Sequence, residues 1–253
     1  MNNTDFIAII PARYNSTRFP GKPLAMLGEM TVIHRVYNQV KKALDNIVVA
    51  TDNQLIADEV HNFGGTAVIT RPDHPSGTDR CFEAYNNIQS DAKVIVNIQG
   101  DEPFIQPEQI QALTACFDNP ETDIATLIRP FDPNLPFEQL ENPNTPKVVV
   151  DNNGKAIYFS RSVIPFIRGA EKQQWPQKHN FYTHIGLYAY RAEALLKITQ
   201  LQPSTLEKAE SLEQLRWLQN GLHIQTAVSN HTTIGIDTPE DLQRAIQFLK
   251  HHD

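Results

Sequence analysis

Four short, continuous runs of apolar residues in the first hundred positions constrain the fold of this 253-residue chain more than any other feature. They cover residues 6–10, 46–50, 66–70 and 93–98. Strands buried on both faces of a parallel sheet show such unbroken runs, whereas half-exposed strands alternate apolar and polar residues. Between the runs lie helical patterns, the clearest of which places on one stripe Ile33, Val36, Tyr37 and Val40. The alternation predicts βαβ units, and therefore an α/β fold with a mostly parallel twisted sheet flanked by helices.

The pattern changes after Pro130, where five prolines crowd residues 130–146 and interrupt any long helix. Residues 148–159 predict a β-hairpin, because β-branched and aromatic runs flank an Asp-Asn-Asn-Gly turn. We expect a loop at 161–180, a strand at 181–190 and a helix at 206–218 that is followed by Gly221. Near the end of the chain, Thr238 and Pro239 predict the cap and first turn of a last helix.

Composition excludes several classes of function. The chain has 22 Lys and Arg against 29 Asp and Glu, a net charge of −7, which argues against broad binding of nucleic acid or anionic membranes. No stretch reaches the roughly 18 apolar residues of a membrane span, and residues 1–15 lack the layout of a signal peptide. We therefore expect a cytoplasmic protein. Cys81 and Cys116 each fall in a predicted helix and fit buried thiols better than a disulfide or a metal site.

The first apolar run leads into a loop, called the phosphate loop below, whose residues predict phosphate binding. Arg13, Arg18 and Lys22 stand among three prolines, which stiffen the backbone so that the cations are held before a ligand arrives. The loop matches neither the Walker P-loop nor the dinucleotide-binding glycine pattern. A solvated basic loop is the alternative. The place of this loop directly after the first strand favours ligand binding over that alternative, since open α/β sheets bind ligands beyond the carboxyl ends of their strands.

Asp101 follows a buried strand and is a candidate Mg²⁺ ligand, with Gly100 allowing close approach of the backbone. Mg²⁺ commonly binds one or two carboxylates together with substrate phosphates, so a second carboxylate is expected. Asp237, just before the last helix, is one candidate. From the local sequence alone Asp101 is equally well a turn residue, and Asp237 is better explained as a helix-start residue.

Residues 71–80 form a second polar loop, in which Ser76, Gly77 and Thr78 are placed to hold a base or a ribose. Ordinary helix capping by Ser or Thr is the alternative, and it is favoured without further context.

Three later groups predict a pocket for an acceptor substrate. Arg161 is suited to bidentate binding of a carboxylate. His184 is suited to orienting a hydroxyl group, although a lone histidine in a strand is more often structural. Glu213 and Arg216 lie three residues apart on a helix and form, in the simpler interpretation, a surface ion pair.

Taken together, eight motifs closely resemble those of the 3-deoxy-manno-octulosonate cytidylyltransferases, also called CMP-Kdo synthetases. The resemblance spans almost the whole chain, and related CMP-sialic acid synthetases share parts of its first half. The motifs are Ile-Ile-Pro-Ala-Arg-Tyr-x-Ser-Thr-Arg-x-Pro-Gly-Lys-Pro-Leu at 9–24, Val-Ala-Thr-Asp at 49–52, Ser-Gly-Thr at 76–78, Asn-x-Gln-Gly-Asp-Glu-Pro at 97–103, Tyr-Phe-Ser-Arg at 158–161, His-Ile-Gly-Leu-Tyr at 184–188, Leu-Glu-Gln-Leu-Arg at 212–216 and Asp-Thr-Pro-Glu-Asp-Leu at 237–242.

The resemblance implies a Rossmann-like fold of the nucleotide-diphospho-sugar transferase type and a Mg²⁺-dependent, homodimeric, cytosolic enzyme. Its reaction would be CTP + Kdo → CMP-Kdo + pyrophosphate, which activates Kdo for lipopolysaccharide assembly. It implies that Asp101 and Asp237 bind the metal and act in catalysis together with Arg13 and Lys22. The nucleotide would be held by Pro11, Ala12, Arg13, Lys22, Ser76, Gly77 and Gln99, and the sugar acid by Arg161, His184, Tyr188, Glu213 and Gln214.

Two residues depart from the family pattern. Asp79 stands where glutamate usually follows Ser-Gly-Thr, and Phe166 stands where tryptophan often follows Ile-Pro. Both changes affect loop packing rather than a charge that the chemistry requires.

We expect one nucleotidyltransferase domain over residues 1–253. Within it, 1–130 forms mainly the nucleotide-binding half, 131–228 the acceptor-sugar and dimerisation subregion, and 229–253 a closing segment that returns to the metal site. Transfer of CMP to amino-Kdo or sialic acid is the nearest alternative function, and a non-catalytic nucleotide-binding protein is a more distant one.

Overall fold

The computed structural model describes residues 1–231 and 234–252. Its contacts divide the chain into two compact units. The first comprises Met1–Gln111 and His231–Asp253, and the second comprises Ala112–Asn230. Within residues 1–231 and 234–252, no helix combines the length and apolar character needed to cross a membrane.

The first unit contains the predicted parallel sheet. Four of its strands pair side by side in the order β6-β1-β4-β5, all parallel. Two further two-residue strands, β2 and β3, form a small antiparallel ribbon. The strands are β1 (Phe6–Ala12), β2 (Met26–Leu27), β3 (Met30–Thr31), β4 (Ile47–Thr51), β5 (Ala67–Ile69) and β6 (Val94–Asn97). The helices are α1 (Val32–Lys41), α2 (Gln54–Asn62), α3 (Gly77–Asn87), the first part of α4 (Pro107–Ala115) and α10 (Pro239–His252).

Burial explains why these segments form these elements. Strands β4 and β6 are buried at every residue, and β1 at all but one, as their unbroken apolar runs predict. The predicted apolar stripe of α1 is buried, and Thr31 caps this helix by accepting a hydrogen bond from the backbone N–H of His34. Strand β5 is shorter and more exposed than expected, because it pairs only with β4 within this unit.

The second unit combines parallel and antiparallel pairing. Strand β7 pairs in parallel with β11 and antiparallel with β10, while the predicted hairpin β8–β9 adds to β10 through β8. The strands are β7 (Ile124–Pro130), β8 (Lys147–Val150), β9 (Ala156–Ser160), β10 (Tyr182–Arg191) and β11 (Ile224–Val228). The helices are α5 (Phe137–Leu140), α6 (Trp175–Lys178), α7 (Ala192–Gln200), α8 (Thr205–Glu210) and α9 (Gln214–Gln219).

The prediction of one helix over 206–218 is wrong, since α8 and α9 are separated by Ser211 in a left-handed conformation with φ of 51°. The carbonyl oxygens of Glu210 and Ser211 accept hydrogen bonds from Arg161 at 2.5 and 3.1 Å, which stabilises the break. Gly221 follows α9 with φ of 77°, as its C-terminal position predicts. The predicted loop at 161–180 also contains a short helix, α6, whose Trp175 is buried.

Both cysteines are free thiols. Cys81 is fully buried in α3, and Cys116 begins a short 3₁₀ turn after α4. Burial raises the pKa of the Cys116 thiol to about 11. The prediction of a buried thiol is confirmed for Cys81, whereas Cys116 is only partly buried.

Candidate active site

A polar cleft of about 310 Å³ lies in the first unit, beyond the carboxyl ends of β1 and β6. This is the edge at which open α/β sheets bind ligands. All the nucleotide and metal residues that the family resemblance implied line this cleft, whereas Thr78, which the second polar loop also suggested, is buried and does not line it. The lining residues are Pro11, Ala12, Arg13, Ser16, Thr17, Arg18, Lys22, Pro23, His74, Pro75, Ser76, Gly77, Arg80, Gln99, Gly100, Asp101 and Asp237.

The two candidate metal carboxylates share one cationic partner. Lys22 Nζ lies 2.6 Å from Asp101 Oδ2 and 3.3 Å from Asp237 Oδ1. Arg18 Nη2 lies 3.2 Å from the other oxygen of Asp237. The Lys22 side chain is only 12% exposed, so its charge is less screened by solvent than that of an ordinary surface lysine. Two aspartates separated by 136 positions in the chain therefore lie close enough to act on one cation.

Asp237 reaches this position because the backbone before α10 is tied to the cleft. The N–H of Ile236 donates to the carbonyl oxygen of Asp101 at 2.9 Å. Thr238 Oγ1 accepts from the N–H of Asp241 at 3.2 Å and caps α10, as predicted. The carboxylate of Asp241 in turn accepts the N–H groups of Asp237 and Thr238. Thr238 and Asp241 thus perform the capping that the local sequence suggested for Asp237, whose own carboxylate faces Lys22.

Asp101 depends on the close approach of two backbone segments. A Cβ atom at Gly100 would lie 2.7 Å from the carbonyl oxygen of Pro11, a distance that real side chains do not occupy. Only glycine allows the segment after β6 to pass so close to the end of β1. This contact sets the position of Asp101 relative to the phosphate loop.

We expect the substitution Gly100→Ala to reduce turnover by about tenfold or more, because displacement of a catalytic group by a fraction of an ångström weakens positioning. Steady-state kinetics with CTP, the nucleotide that the family resemblance implies, would measure the effect. Gly235→Ala is a suitable control, since no described atom lies within 4 Å of its added Cβ. Unchanged turnover in Gly100→Ala would show that the close approach is not needed for the chemistry.

The donor set at the cleft fits Mg²⁺ in one particular way. Among the residues described, no group of three or more His, Cys, Asp or Glu side chains is arranged to hold a metal ion. Asp101 and Asp237 instead offer two carboxylates beside a cationic loop. Mg²⁺ is commonly held by one or two carboxylates and completed by substrate phosphates and water, so this pair suits a metal that arrives with a triphosphate.

The nucleotide candidates occupy two loops of the cleft. Arg13 is exposed in the first loop. In the second loop Ser76 caps α3, with its Oγ accepting the N–H of Asp79 at 3.1 Å and donating to Asp79 Oδ2 at 2.6 Å. Asp79, which departs from the family pattern, thus retains a capping role. The capping alternative for Ser76 is confirmed, and Gly77 begins the helix at the cleft wall.

Glu102 adds a second acid beside Asp101. Burial, and to a lesser extent the charge of Asp101, raises the pKa of the Glu102 carboxyl to about 7. Its Oε2 is buried and has no hydrogen-bond partner among the described residues. At neutral pH this group is therefore partly protonated, which limits the negative charge next to Asp101.

The candidate acceptor residues of the second unit include an aromatic cluster. The ring of His184 lies 5.0 Å from that of Phe159 and 5.4 Å from that of Tyr188, and Tyr188 packs edge-on against Trp217 at 5.0 Å. His184 Nε2 lies 2.9 Å from Thr126 Oγ1. Burial lowers the pKa of His184 to about 3, so its imidazole is neutral at physiological pH. Burial, and next the charge of Glu213, raises the pKa of Tyr188.

Glu213 and Gln214 lie at the start of α9. Arg216 Nη2 lies 3.0 Å from Glu213 Oε1, and Arg216 Nε lies 3.1 Å from Glu207 Oε2, so this ion pair is part of a half-buried cluster rather than a simple surface pair. Gln214 is 4% exposed, and its Nε2 has no hydrogen-bond partner in the described chain. Because a buried unpaired donor is costly, Gln214 is a good candidate for a polar ligand contact.

Arg161 has a different environment from the one expected. Its Nε, Nη1 and Nη2 atoms each donate to a backbone carbonyl, those of Glu210, Pro143 and Ser211 respectively. Glu210 also accepts from the Arg161 N–H at 2.8 Å. These bonds give Arg161 a structural role, and its predicted binding of a carboxylate stays a prediction.

We expect the stability of the protein to fall as the pH drops below about 6.5, in part through His184. The unfolded chain has the ordinary histidine pKa and binds a proton that the folded chain takes up only near pH 3, so protonation favours unfolding between these values. The contribution between pH 6.5 and 5.5 is about 1 kcal/mol. Chemical denaturation of wild type and His184→Gln at both pH values measures it. An identical pH dependence in the two proteins would contradict the assignment.

Sequence reasoning assigned no role to two ionisable residues that line the cleft, His74 and Arg80. His74 has a buried side chain and is hydrogen-bonded to Glu83 of α3. Arg80 is buried in the first turns of α3 and pairs with Asp52. The motif Val-Ala-Thr-Asp at 49–52 indicated that Asp52 is important, and Asp52 is the residue that pairs with Arg80. The sequence does not show, however, which cationic side chain an aspartate will contact in the fold.

The α/β fold, with a cationic loop and two carboxylates at the carboxyl edge of its parallel strands, defines a nucleotidyltransferase. A family model described as cytidylyltransferase matches residues 7–224, and the chain belongs to the cytidylyltransferase family.

Named relatives agree with this assignment. The chain is 60% identical over 245 residues to the 3-deoxy-manno-octulosonate cytidylyltransferase of Bacteroides thetaiotaomicron, covering 97% of this chain and 98% of the relative. It is 58% identical over 248 residues to that of Phocaeicola vulgatus, covering 98% of each. Among solved structures it is similar to CMP:2-keto-3-deoxy-manno-octonic acid synthetase complexed with CTP, with a TM-score of 0.88, 37% identity and coverage of 98% and 99% of the two chains.

Proposed function

We propose that this protein transfers CMP from CTP to 3-deoxy-D-manno-octulosonate (Kdo), releasing pyrophosphate and CMP-Kdo. The observation that carries the proposal is the convergence of Asp101 and Asp237 on Lys22 in a cleft lined by the phosphate loop. Named relatives that match nearly the full chain support Kdo as the acceptor.

The chemistry is attack by the anomeric hydroxyl of Kdo on the α-phosphorus of CTP. A bond forms between the sugar oxygen and the α-phosphorus, the bond from the α-phosphorus to the oxygen that leaves with pyrophosphate breaks, and the hydroxyl proton passes to solvent water. Phosphoryl transfer of this kind depends mainly on positioning and electrostatic stabilisation. Lys22 and Arg13 hold the triphosphate and stabilise the charge that develops on it, and the backbone at Pro11 and Ala12 lies alongside the nucleotide. Ser76, Gly77 and Gln99 hold the cytidine.

Asp101 and Asp237 would hold Mg²⁺. When bound, the metal neutralises triphosphate charge and favours departure of pyrophosphate. Both aspartates pair with Lys22, and Asp237 also pairs with Arg18, so Mg²⁺ would share their carboxylate oxygens with these cationic side chains.

The acceptor is held by the second unit. We assign binding of the acceptor to Arg161, His184, Tyr188, Glu213 and Gln214. The neutral imidazole of His184 and the unpaired Nε2 of Gln214 contact sugar hydroxyls. Aromatic side chains near His184 favour the apolar faces of a sugar ring.

We also propose that the protein acts as a homodimer in the cytoplasm, in the activation of Kdo for lipopolysaccharide. Phe166 is 73% exposed and packs edge-on against Trp175, which supports a subunit contact in this part of the second unit. Analytical ultracentrifugation tests the dimer, with Phe166→Ser expected to weaken association.

Pyrophosphate release tests the function directly. CTP, UTP, ATP and GTP are each combined with Kdo, amino-Kdo or sialic acid, with and without Mg²⁺. We expect turnover with CTP, Kdo and Mg²⁺ together. Preference for amino-Kdo or sialic acid would reassign the acceptor, and no turnover in any combination would favour a non-catalytic nucleotide-binding protein.

A further inference from the structure

We propose that Asp52 and Arg80 form a positioning pair that holds the phosphate loop in the geometry needed for CTP. Neither residue belongs to the catalytic or binding set assigned above. The inference rests on the proposed function for its kinetic readout, but the pair is defined by its own contacts.

Asp52 connects two elements of the cleft. It follows the last residue of β4, and its Oδ1 accepts the backbone N–H of Tyr14 at 3.4 Å. Its Oδ2 lies 3.2 Å from Arg80 Nη2. One carboxylate therefore contacts the phosphate loop directly after Arg13. The same carboxylate contacts the first turns of α3, the helix into which the second polar loop, residues 71–80, leads.

Arg80 is itself anchored on its other side. Its Nη1 donates to Thr70 Oγ1 at 2.7 Å, and Thr70 Oγ1 donates to the carbonyl oxygen of Thr51 at 3.2 Å. Since Thr51 and Thr70 lie at the carboxyl ends of β4 and β5, the guanidinium is fixed to the rigid sheet. The resulting network runs from the sheet through Arg80 and Asp52 to the Tyr14 amide.

Because the pair is buried, the fold tolerates loss of either charge poorly. The side chains of Arg80 and Asp52 are only 5% and 10% exposed. Removal of one partner leaves the other charge buried and uncompensated, which is costly. Arg80 also lines the cleft, so a change in its position alters the wall against which the nucleotide lies.

The location of the pair allows a positioning role to be distinguished from a general contribution to stability. A pair that only stabilised the fold would lower the folded fraction and leave KM unchanged. A pair that sets the phosphate loop affects the binding of CTP, whereas the Kdo candidates all belong to the second unit. The effect should therefore appear in KM for CTP and not in KM for Kdo.

The test is a double-mutant cycle of Asp52→Asn, Arg80→Met and the double variant in the full-length protein. Asn is isosteric with Asp and keeps an acceptor for the Tyr14 amide while removing the charge that faces Arg80. We expect each single variant to raise KM for CTP about tenfold, with KM for Kdo unchanged, and the double variant to be no worse than the worse single, because the residues act as a unit. Arg80→Lys, which keeps the charge, should recover part of the loss.

Glu207→Gln is the matched control. It breaks the pair between Glu207 and Arg216 in the second unit, whose side chains are 16% and 15% exposed. We expect it to lower the melting temperature and leave KM for CTP unchanged. Thr70→Val removes one anchor of Arg80 and should give a smaller rise in KM for CTP than Arg80→Met.

Additive effects in the cycle, or equal rises in KM for CTP and Kdo, would overturn the proposal. Calorimetric titration of CTP into each variant gives a second readout that does not require turnover. If wild type binds CTP and fails to release pyrophosphate with Kdo, the proposed function fails while the titration still decides the role of the pair. A variant with weakened folding is recognised by its melting curve, and Arg80→Lys then provides the decisive comparison.

Discussion

Replacement of Asp101 by Asn is expected to lower kcat by about 10³-fold while the fold stays intact. The amide has nearly the same shape as the carboxylate, so the backbone contact from Ile236 to residue 101 can persist. The substitution removes the negative charge of Asp101, whose Oδ2 lies 2.6 Å from Lys22 Nζ and which we propose as a ligand of Mg²⁺. Pyrophosphate release over a range of Mg²⁺ concentrations measures the effect.

The matched control for this prediction is Asp91→Asn. Asp91 is an exposed aspartate that precedes β6, whereas Asp101 follows the same strand. We expect wild-type turnover and an unchanged melting temperature from Asp91→Asn, and a single cooperative unfolding transition from Asp101→Asn, which shows that its fold is intact. Near-normal turnover of Asp101→Asn at all Mg²⁺ concentrations would reject a metal role for this residue.

Lys22→Met is expected to reduce kcat/KM for CTP by about 10²-fold, because it removes a preorganised cation from a poorly solvated position. A second effect follows from its contacts. Without the ammonium, the charges of Asp101 and Asp237 are less compensated, since Arg18 is then the one remaining ion-pair partner of Asp237 within the described part of the chain. We therefore expect the folded protein to be less stable without Mg²⁺ and to gain more stability from added Mg²⁺ than wild type does.

Kinetics and thermal unfolding with and without Mg²⁺ test both effects of Lys22→Met. Lys93→Met is the control, since it also breaks a lysine–aspartate pair, with Asp5, at a distance of 2.8 Å. Lys93 is 67% exposed, and exposed pairs contribute little. If Lys22→Met kept wild-type kinetics for CTP, Lys22 would not contact the triphosphate in the productive complex.

Much of the local structure was predictable because it depends on neighbouring residues. Unbroken apolar runs identified β1, β4 and β6, and the turn residues at 151–154 identified the hairpin β8–β9. Thr238 and Pro239 located the start of α10. Each of these features requires only a periodicity, a cap or a turn, which a short segment of chain determines by itself.

The break between α8 and α9 could not be predicted in this way. Residues 206–218 have a helical pattern, but Arg161, about fifty positions earlier, bonds the carbonyl oxygens of Glu210 and Ser211. The same bonds occupy the Arg161 donors that the sequence suggested for a carboxylate ligand. Partners distant in sequence thus decided both the helix boundary and the environment of the arginine.

The amino-acid sequence by itself determined the α/β class, the place of the cationic loop after β1 and the family motifs, because these depend on residue type and short spacing. The tertiary structure decided which charges meet: Lys22 with Asp101 and Asp237, and Arg80 with Asp52. Ion pairing depends on distances of a few ångströms between side chains that the chain brings together only when the sheet has formed.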